Sequence, residues 1–463
     1  MNAEKLSKPY RSCRYLETEI SFLDQDIGFC PERPSPVYIQ PMADVSKTVD
    51  AFLEARDRMI RENQGTNPPC AGCNLFQESG PTNGEIKNIS FATHNFCNFS
   101  CIYCDLEKTK AQYKNKAEAY DSLEIAQELK RRGLLSNTLK VSCSPGEITV
   151  HPQRDKYYDF IEENASFVFF VSNAGRFDSR LAHILSLSPR NGMLVSIDCG
   201  TEETFRRIRG VDMFRQVIDN LTQYRKYSSQ ILLKYIIIDE NCGDKDLNNF
   251  IRICGDLKVS QMIVSGDRMT AWDREKQLSY QENIVSAAIK LVQGAIRSNL
   301  YFTLWEDLGE ANLREIYRRL VKIPEIVSAE QQLDTILSAS KVVCYGAGGN
   351  CENILDQIKE LGLRKPDVIW DMKAEPGQKF HAAGCEYPVC QPDFDSLDGS
   401  MKIGVFTTIT NSTTNQKLAQ DMKEHGFSNL LTHDRLFLAF MAKRAKMPIE
   451  IGVINNNGSS GKK

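Results

Sequence analysis

The chain has 463 residues, 41% of them hydrophobic and 25% charged, with a formal net charge of -3. That is the composition of a globular protein of two or three domains, without the basic stripe that nucleic acid requires. Apolar runs such as Phe167-Val168-Phe169-Phe170-Val171 are too short to span a membrane, and the charged stretch from Met1 to Tyr10 lacks the apolar core of an export signal. A cytoplasmic location is the expectation, with neither nucleic acid nor membrane as a partner. Fifteen cysteines is an odd and high number for such a chain. It argues against a disulfide framework and for thiolate ligation of metal.

Residues 1–84 form an N-terminal segment with Cys13, Cys30 and the pair Cys70-Ala71-Gly72-Cys73. The stretch 17–26 reads as extended. Residues 45–61 read as a helix, with Val49, Phe52, Met59 and Ile60 near helical spacing. Asn67-Pro68-Pro69 then breaks the chain just before the CxxC. CxxC is a ligand spacing. Cys13, Cys30, Cys70 and Cys73 are therefore read as a four-thiolate set for an iron–sulfur cluster; zinc in the same set, or Cys13 and Cys30 as simple buried thiols, are the alternatives.

A short strand at 89–93 leads into Thr93-His94-Asn95-Phe96-Cys97-Asn98-Phe99-Ser100-Cys101-Ile102-Tyr103-Cys104. Three cysteines on one tight loop suit three irons of a cubane cluster, which normally takes four cysteines. One iron is left for a ligand that is not protein. Structural zinc prefers four ligands in paired spacings and fits this loop poorly. His94, just before the loop, is a further candidate to touch cluster or substrate.

From 85 to 305 the chain alternates strand and helix. Strands are expected at 89–93, 139–143, 167–171, 193–197, 231–237 and 261–265. One intervening helix starts at Asp121, with Glu124 three residues on, and stops at Gly133. Six β-α units imply a parallel sheet in an α/β fold, and parallel strands covered on both faces are continuously apolar. Polar residues stand where the strands end: the three cysteines, Ser144-Pro145-Gly146-Glu147, Ser172-Asn173, Asp198, Asp239 and Ser265-Gly266. In β/α barrels the chemistry sits at that end. Cys143 and Cys199 also end strands; they are candidates to return a hydrogen atom to a substrate radical, or else small buried hydrophobes.

These motifs resemble the radical S-adenosylmethionine (radical SAM) superfamily. Cys97, Cys101 and Cys104 match its CxxxCxxC, with Tyr103 at the aromatic position. Ser144-Pro145-Gly146-Glu147 is similar to its Gly-Gly-Glu-Pro motif, with Pro145 in place of the first glycine. The resemblance implies a partial (β/α)6 TIM-like barrel carrying a 4Fe–4S cluster. The open iron would chelate the amino and carboxylate groups of S-adenosylmethionine, and one electron would cleave it to a 5′-deoxyadenosyl radical. Gly146 and Glu147 would hold the amino group. Asn173 matches the Thr-Asn-Gly position of related enzymes. Ser196 and Arg209 are candidate contacts to the carboxylate, and Asp198 to ribose or substrate. An electron donor of flavodoxin or ferredoxin type is the implied partner. The N-terminal cysteines resemble the auxiliary-cluster region of SPASM or twitch proteins, although here they precede the barrel.

A helical connector is expected over 306–338, then a third unit over 339–454. There a strand at 341–345 runs into Gly346-Ala347-Gly348-Gly349, a helix over 351–360, and a second strand ending in Asp371. Strand, glycine loop, helix, strand and acid is the plan of a Rossmann half. Gly346 and Gly348 would let a phosphate meet the helix N-terminus, and Asp371 would meet ribose hydroxyls of a nucleotide. Cys351 replaces the third glycine of the full fingerprint, which leaves a purely structural Rossmann-like unit as the alternative. The polar tail 455–463 is expected to be disordered.

The expected function is hydrogen abstraction from a small molecule such as a nucleotide-linked sugar, ending in oxidation if the N-terminal cluster takes the electron. Redox-neutral epimerisation and modification of a ribosomal peptide are the alternatives. A non-catalytic iron–sulfur electron carrier is the rival of another class.

Overall fold

The structure, a computed structural model, describes residues 10–23, 25–29, 38–71, 73, 76–78, 81–93, 96–104, 120–267, 274–393, 403–409, 412–425 and 430–447. Cys30, His94 and the tail from Asn455 lie outside them. The chain divides into two compact units, Met1–Glu310 and Ala311–Ile449.

The first unit contains, in chain order, β1 (Arg11–Ser12), β2 (Glu19–Phe22), β3 (Ile27–Gly28), β4 (Gln77–Glu78), β5 (Ile86–Thr93), β6 (Leu135–Gly146), β7 (Phe167–Ser172), β8 (Gly192–Ser196), β9 (Gln230–Ile237), β10 (Gln261–Gly266) and β11 (Phe302–Leu304). The six strands expected from the alternation are β5 to β10. They lie side by side in chain order and all run parallel. This is the mixed α/β, mostly parallel sheet of a partial β/α barrel.

The sheet is wider than those six strands. β11 adds to β10 in parallel, and β2 adds to β5 in parallel, with β3 antiparallel beyond it. The stretch 17–26 is therefore not uniformly extended: a short helix, Arg14–Thr18, precedes β2. Glu17 in that helix accepts from the Tyr10 hydroxyl and the Thr82 N–H, both at 2.8 Å. β2 is buried along its whole length, and Phe22 stacks on Phe91 of β5 with ring centroids 5.3 Å apart. The N-terminal segment thus covers an edge of the sheet that would otherwise present unpaired backbone.

Helices begin where side chains satisfy the first free N–H groups. Asp44 caps Val45–Asn63, and Asp121 caps Ser122–Arg131 through Leu123 and Glu124. The first of these buries Val49, Phe52 and Met59. Among the described residues no helix is long and apolar enough to cross a membrane.

The second unit has β12 (Lys341–Tyr345), β13 (Val368–Trp370), β14 (Lys379–Ala382), β15 (Cys385–Cys390), β16 (Ile403–Thr407) and β17 (Leu430–Leu431). Its sheet order is β14-β15-β13-β12-β16-β17, with only the β14–β15 pair antiparallel. Counted along the chain, the parallel strands stand in the order 3-2-1-4-5, that of a Rossmann-like doubly wound sheet. Alternate residues of β12 enter opposite cores. Val342 and Cys344 pack with Ile354, Ile369 and Phe440, while Val343 and Tyr345 pack with Trp370, Leu418 and Met422. The helix Pro324–Leu337, expected within a connector, sends Ala329, Leu333 and Ile336 into the first of these cores. Its apolar stripe needs a face to cover, and this sheet supplies it.

Candidate active site

The cysteine loop follows β5, and the end of a helix holds it. Ser100 and Ile102 donate their N–H groups to the carbonyls of Arg209 and Ile208, at 3.1 and 2.9 Å. Arg209 ends the helix Glu202–Arg209, and Gly210 caps it at φ +72°. A Cβ on Gly210 would stand 2.5 Å from the Ser100 carbonyl oxygen, so the close approach needs glycine twice over. Cys101 is buried; Cys97 and Cys104 are half-buried. Among the described residues no cysteine is joined in a disulfide.

The ends of β6 and β7 meet this loop. Gly146 sits at φ +96°. The Glu147 N–H donates to the Phe96 carbonyl at 2.8 Å. The Glu147 side chain is fully buried and accepts from the Thr149 N–H and hydroxyl, the Ser172 hydroxyl and the Asn173 N–H. Burial pushes its pKa up, while those donors pull it down. Asn173 in turn donates its side-chain amide to the Cys97 sulfur at 3.7 Å and to Asn98 Oδ1 at 2.8 Å. Ala174 beside it takes a left-handed φ of +52°, a strained position for a residue with a Cβ.

Asp198 follows β8, is fully buried, and has φ +60°. Its Oδ1 accepts the Ile236 N–H at 2.7 Å. Its Oδ2 accepts from Arg209 at 2.8 Å and from the Tyr103 hydroxyl. Arg209 also donates to that hydroxyl. Desolvation opposes the guanidinium charge, yet Tyr103, Cys101 and Asp198 hold its pKa well above the ordinary value. Desolvation likewise pushes the Tyr103 phenol well up. Tyr103, Asp198 and Arg209, singled out separately in the sequence, form one cluster. Ser196 is half-buried at the end of β8, in register with Lys234 of β9.

Cys143 and Cys199 are both buried. Burial, followed by the Glu147 charge, pushes the Cys143 thiol up to about 12. Burial pushes Cys199 up as well, with Asp198 and Asp246 adding to it. Both thiols are held neutral.

The N-terminal cysteines have a local frame of their own. β1 pairs antiparallel with β4, with Ser12 opposite Gln77. This carries Cys13 toward the loop of Cys70 and Cys73. The Asn63 side chain spans that loop, donating to the Cys70 sulfur at 3.3 Å and accepting its N–H at 3.1 Å. Burial raises the Cys70 thiol; Asn63 opposes this, and Cys73 and Cys13 add to it.

In the second unit, Gly346 lies at φ +104°, and its N–H donates to the Trp370 carbonyl at 2.7 Å. Gly348 begins the helix Gly349–Glu360 with no side-chain cap. The Asp371 carboxylate accepts the N–H groups of Ala347 at 2.8 Å and Lys373 at 2.9 Å. Asp371 therefore shapes the glycine loop from within.

Several supporting residues carried no signal in the sequence. Asn241 bonds the Asp198 carbonyl at 2.8 Å, and Asp246 accepts from Gly200, Thr201 and Thr204. Both act across distances in sequence that no motif spans. A cleft of about 240 Å³ opens beyond β9 and β10, lined in part by Asp239, Glu240, Asp267, Lys276 and Asp307.

A parallel sheet with a three-cysteine loop after one strand, and buried polar residues at the ends of the next three, defines a partial α/β barrel with its polar groups gathered at the end where such barrels carry their chemistry. Residues 92–250 match the family model of the Radical SAM superfamily. The chain is 24% identical over 156 residues to a probable GTP 3',8-cyclase of Thermococcus kodakarensis, covering 33% of this chain and 48% of that protein. It is 23% identical over 208 residues to a GTPase Obg of Brachyspira hyodysenteriae, covering 43% of this chain and 30% of that one. The matched stretches take in less than half the length of either relative. Among solved structures, SuiB of Streptococcus suis bound to precursor peptide SuiA is similar, with TM-score 0.39 and 14% identity over 61% of this chain and 58% of that one.

The superfamily implies a 4Fe–4S cluster and S-adenosylmethionine. The donor set fits: the loop supplies three thiols outside any disulfide, one with an amide donor on its sulfur, and no fourth cysteine follows before Cys143. Among the described residues no three His, Cys, Asp or Glu side chains already stand in a metal-holding arrangement.

Proposed function

We propose that the chain is a radical SAM enzyme that reductively cleaves S-adenosylmethionine to a 5′-deoxyadenosyl radical and takes hydrogen from a small-molecule substrate. The observation that carries this reading is the docking of the Cys97–Cys104 loop by two neighbouring strand ends and a helix end, through Glu147, Asn173 and Arg209. An electron carrier needs three or four thiolates but no such array of buried polar groups around them.

Cys97, Cys101 and Cys104 hold the cluster, and loading it draws their sulfurs together, as metal binding is coupled to folding. When bound, the cluster supplies an electron, from a flavodoxin- or ferredoxin-type donor, and an iron with an open position. Asn173 donates to the Cys97 sulfur and fixes the loop. Gly146, without a Cβ, leaves the backbone beside the loop open to the S-adenosylmethionine amino group. Glu147 holds Asn173 and the loop in place rather than standing free. Ser196 contributes a hydroxyl at the next strand end but one. The cleft beyond β9 and β10 offers room for a small polar substrate.

A nucleotide-linked sugar is the substrate class we favour. The Rossmann-like strand order supports it, as does the uncapped helix after Gly346 and Gly348, whose free N–H groups suit a phosphate. The relative named as a GTP cyclase acts on a nucleotide. Oxidation is the favoured outcome, with a second 4Fe–4S cluster on Cys13, Cys30, Cys70 and Cys73 taking the substrate's electron. The β1–β4 pairing, which brings Cys13 toward Cys70, supports that cluster. Redox-neutral epimerisation is the second reading, because burial keeps the Cys143 thiol in the protonated form that can return a hydrogen atom.

The test is chemical. Protein reconstituted anaerobically with iron and sulfide, then given S-adenosylmethionine and dithionite, should form 5′-deoxyadenosine by mass spectrometry. Iron uptake without that product would leave the electron-carrier reading.

A further inference from the structure

Asp198 and Arg209 form an ion pair at 2.8 Å with side chains 0% and 6% exposed. Removing two charges from water is costly and is repaid only by close, well-bonded geometry. The Asp198 backbone is left-handed as well, a further cost. An arrangement of this kind persists where something other than simple packing is gained. The position of the guanidinium shows what that is. It lies over the Phe99 ring at 5.4 Å and donates to the Tyr103 hydroxyl. Phe99 and Tyr103 flank Cys101 on the loop, and the Arg209 carbonyl holds the Ser100 N–H. The charge is therefore fixed against Phe99 and Tyr103, the residues on either side of Cys101 in the loop. Its Nε is buried and, among the described residues, has no partner.

Resting on the reading above, we infer that Arg209 is a positioning residue for cluster electrostatics. Asp198 and Tyr103 aim its positive charge at the Cys101 side of the cluster, which raises the cluster's reduction potential. Net charge and hydrogen bonding around the sulfurs are among the terms that set such potentials. A fixed positive charge favours the reduced state, which carries one more electron. Asp198 opposes that effect while it orients the guanidinium, so the pair balances the potential as well as the fold.

The two partners then have opposite signatures. The full-length protein, reconstituted anaerobically without S-adenosylmethionine, is titrated potentiometrically while the reduced cluster is followed by electron paramagnetic resonance. Arg209→Gln should move the midpoint to more negative potential. Asp198→Asn, which keeps the cation, should move it to more positive potential. The double variant should return toward wild type. A pair that serves only folding would lower both melting temperatures and leave the midpoint in place; that result, or two shifts of the same sign, overturns the inference. Should the single variants lose their cooperative melt, Arg209→Lys decides. Its shorter reach withdraws charge from Cys101 and should give a smaller negative shift, and an unchanged midpoint overturns the inference. A wild-type protein that takes up no iron overturns the enzyme reading and this inference together, whereas a loaded wild type with immobile midpoints overturns this inference alone.

Discussion

The side-chain amide of Asn173 donates to the sulfur of Cys97 at 3.7 Å. The same residue gives its backbone N–H to the buried Glu147 carboxylate at 2.6 Å. One asparagine at the end of β7 thus joins the carboxylate after β6 to the cysteine loop after β5. Three consecutive strand ends converge on one cysteine, and the parallel sheet makes this possible by placing those ends side by side.

Glu147→Gln tests that connection. The amide offers one acceptor oxygen where the carboxylate offers two, and its NH2 must face a donor. Leaving one buried donor unmatched costs about 1–3 kcal/mol. Urea unfolding should show a loss of that size. Calorimetry should show weaker S-adenosylmethionine binding, while iron content stays at the wild-type level. Unchanged stability and binding would remove Glu147 from the account.

Gly210→Ala should act on the loop from the other side. The left-handed conformation costs a residue with a Cβ roughly 1–2 kcal/mol, and the new Cβ meets the Ser100 carbonyl oxygen. The helix end and the loop must separate. The expected result is a lower melting temperature together with reduced iron uptake on reconstitution. A destabilised variant that still loads iron fully would show that the helix end does not support the cluster site.

What could be read from the sequence was local. The strands β5 to β10 announced themselves by apolar runs, the cysteine loop by its spacing, and the second unit's loop by Gly346 and Gly348. What could not be read was made by tertiary contact. Nothing near Glu19–Phe22 indicates that it pairs with β5, since that pairing depends on the edge it covers. The network around Glu147 was hidden too: Thr149, Ser172 and Asn173 donate to its carboxylate, two of them from the next strand end. Asp371 also accepts the Ala347 N–H of the glycine loop, a bond that the strand-then-acid pattern does not encode. Tyr103 in the cysteine loop, and Asp198 and Arg209 in one β-α unit, were each legible as site residues but not as one cluster, because no sequence spacing encodes the contact of Tyr103 with that separate unit.

The N-terminal cysteines carry a prediction that stands apart from the core. A protein lacking Cys97, Cys101 and Cys104 cannot hold the core cluster, yet should still bind about four irons if the other four cysteines ligate a cubane. Adding Cys70→Ala and Cys73→Ala should remove them. One zinc and no iron in the first variant would make this a structural zinc site. The oxidation proposal would then lose its electron acceptor, and the redox-neutral reading would take its place.

The most direct measurement compares 5′-deoxyadenosine formed by wild-type protein and by the variant Cys97→Ala, Cys101→Ala, Cys104→Ala. Both are reconstituted anaerobically and given S-adenosylmethionine and dithionite, with iron counted in each. The account predicts product from the wild type and none from the variant, even where the variant retains iron on its N-terminal cysteines. Product formation by the variant would contradict the central claim, that these three cysteines hold the group on which S-adenosylmethionine is cleaved.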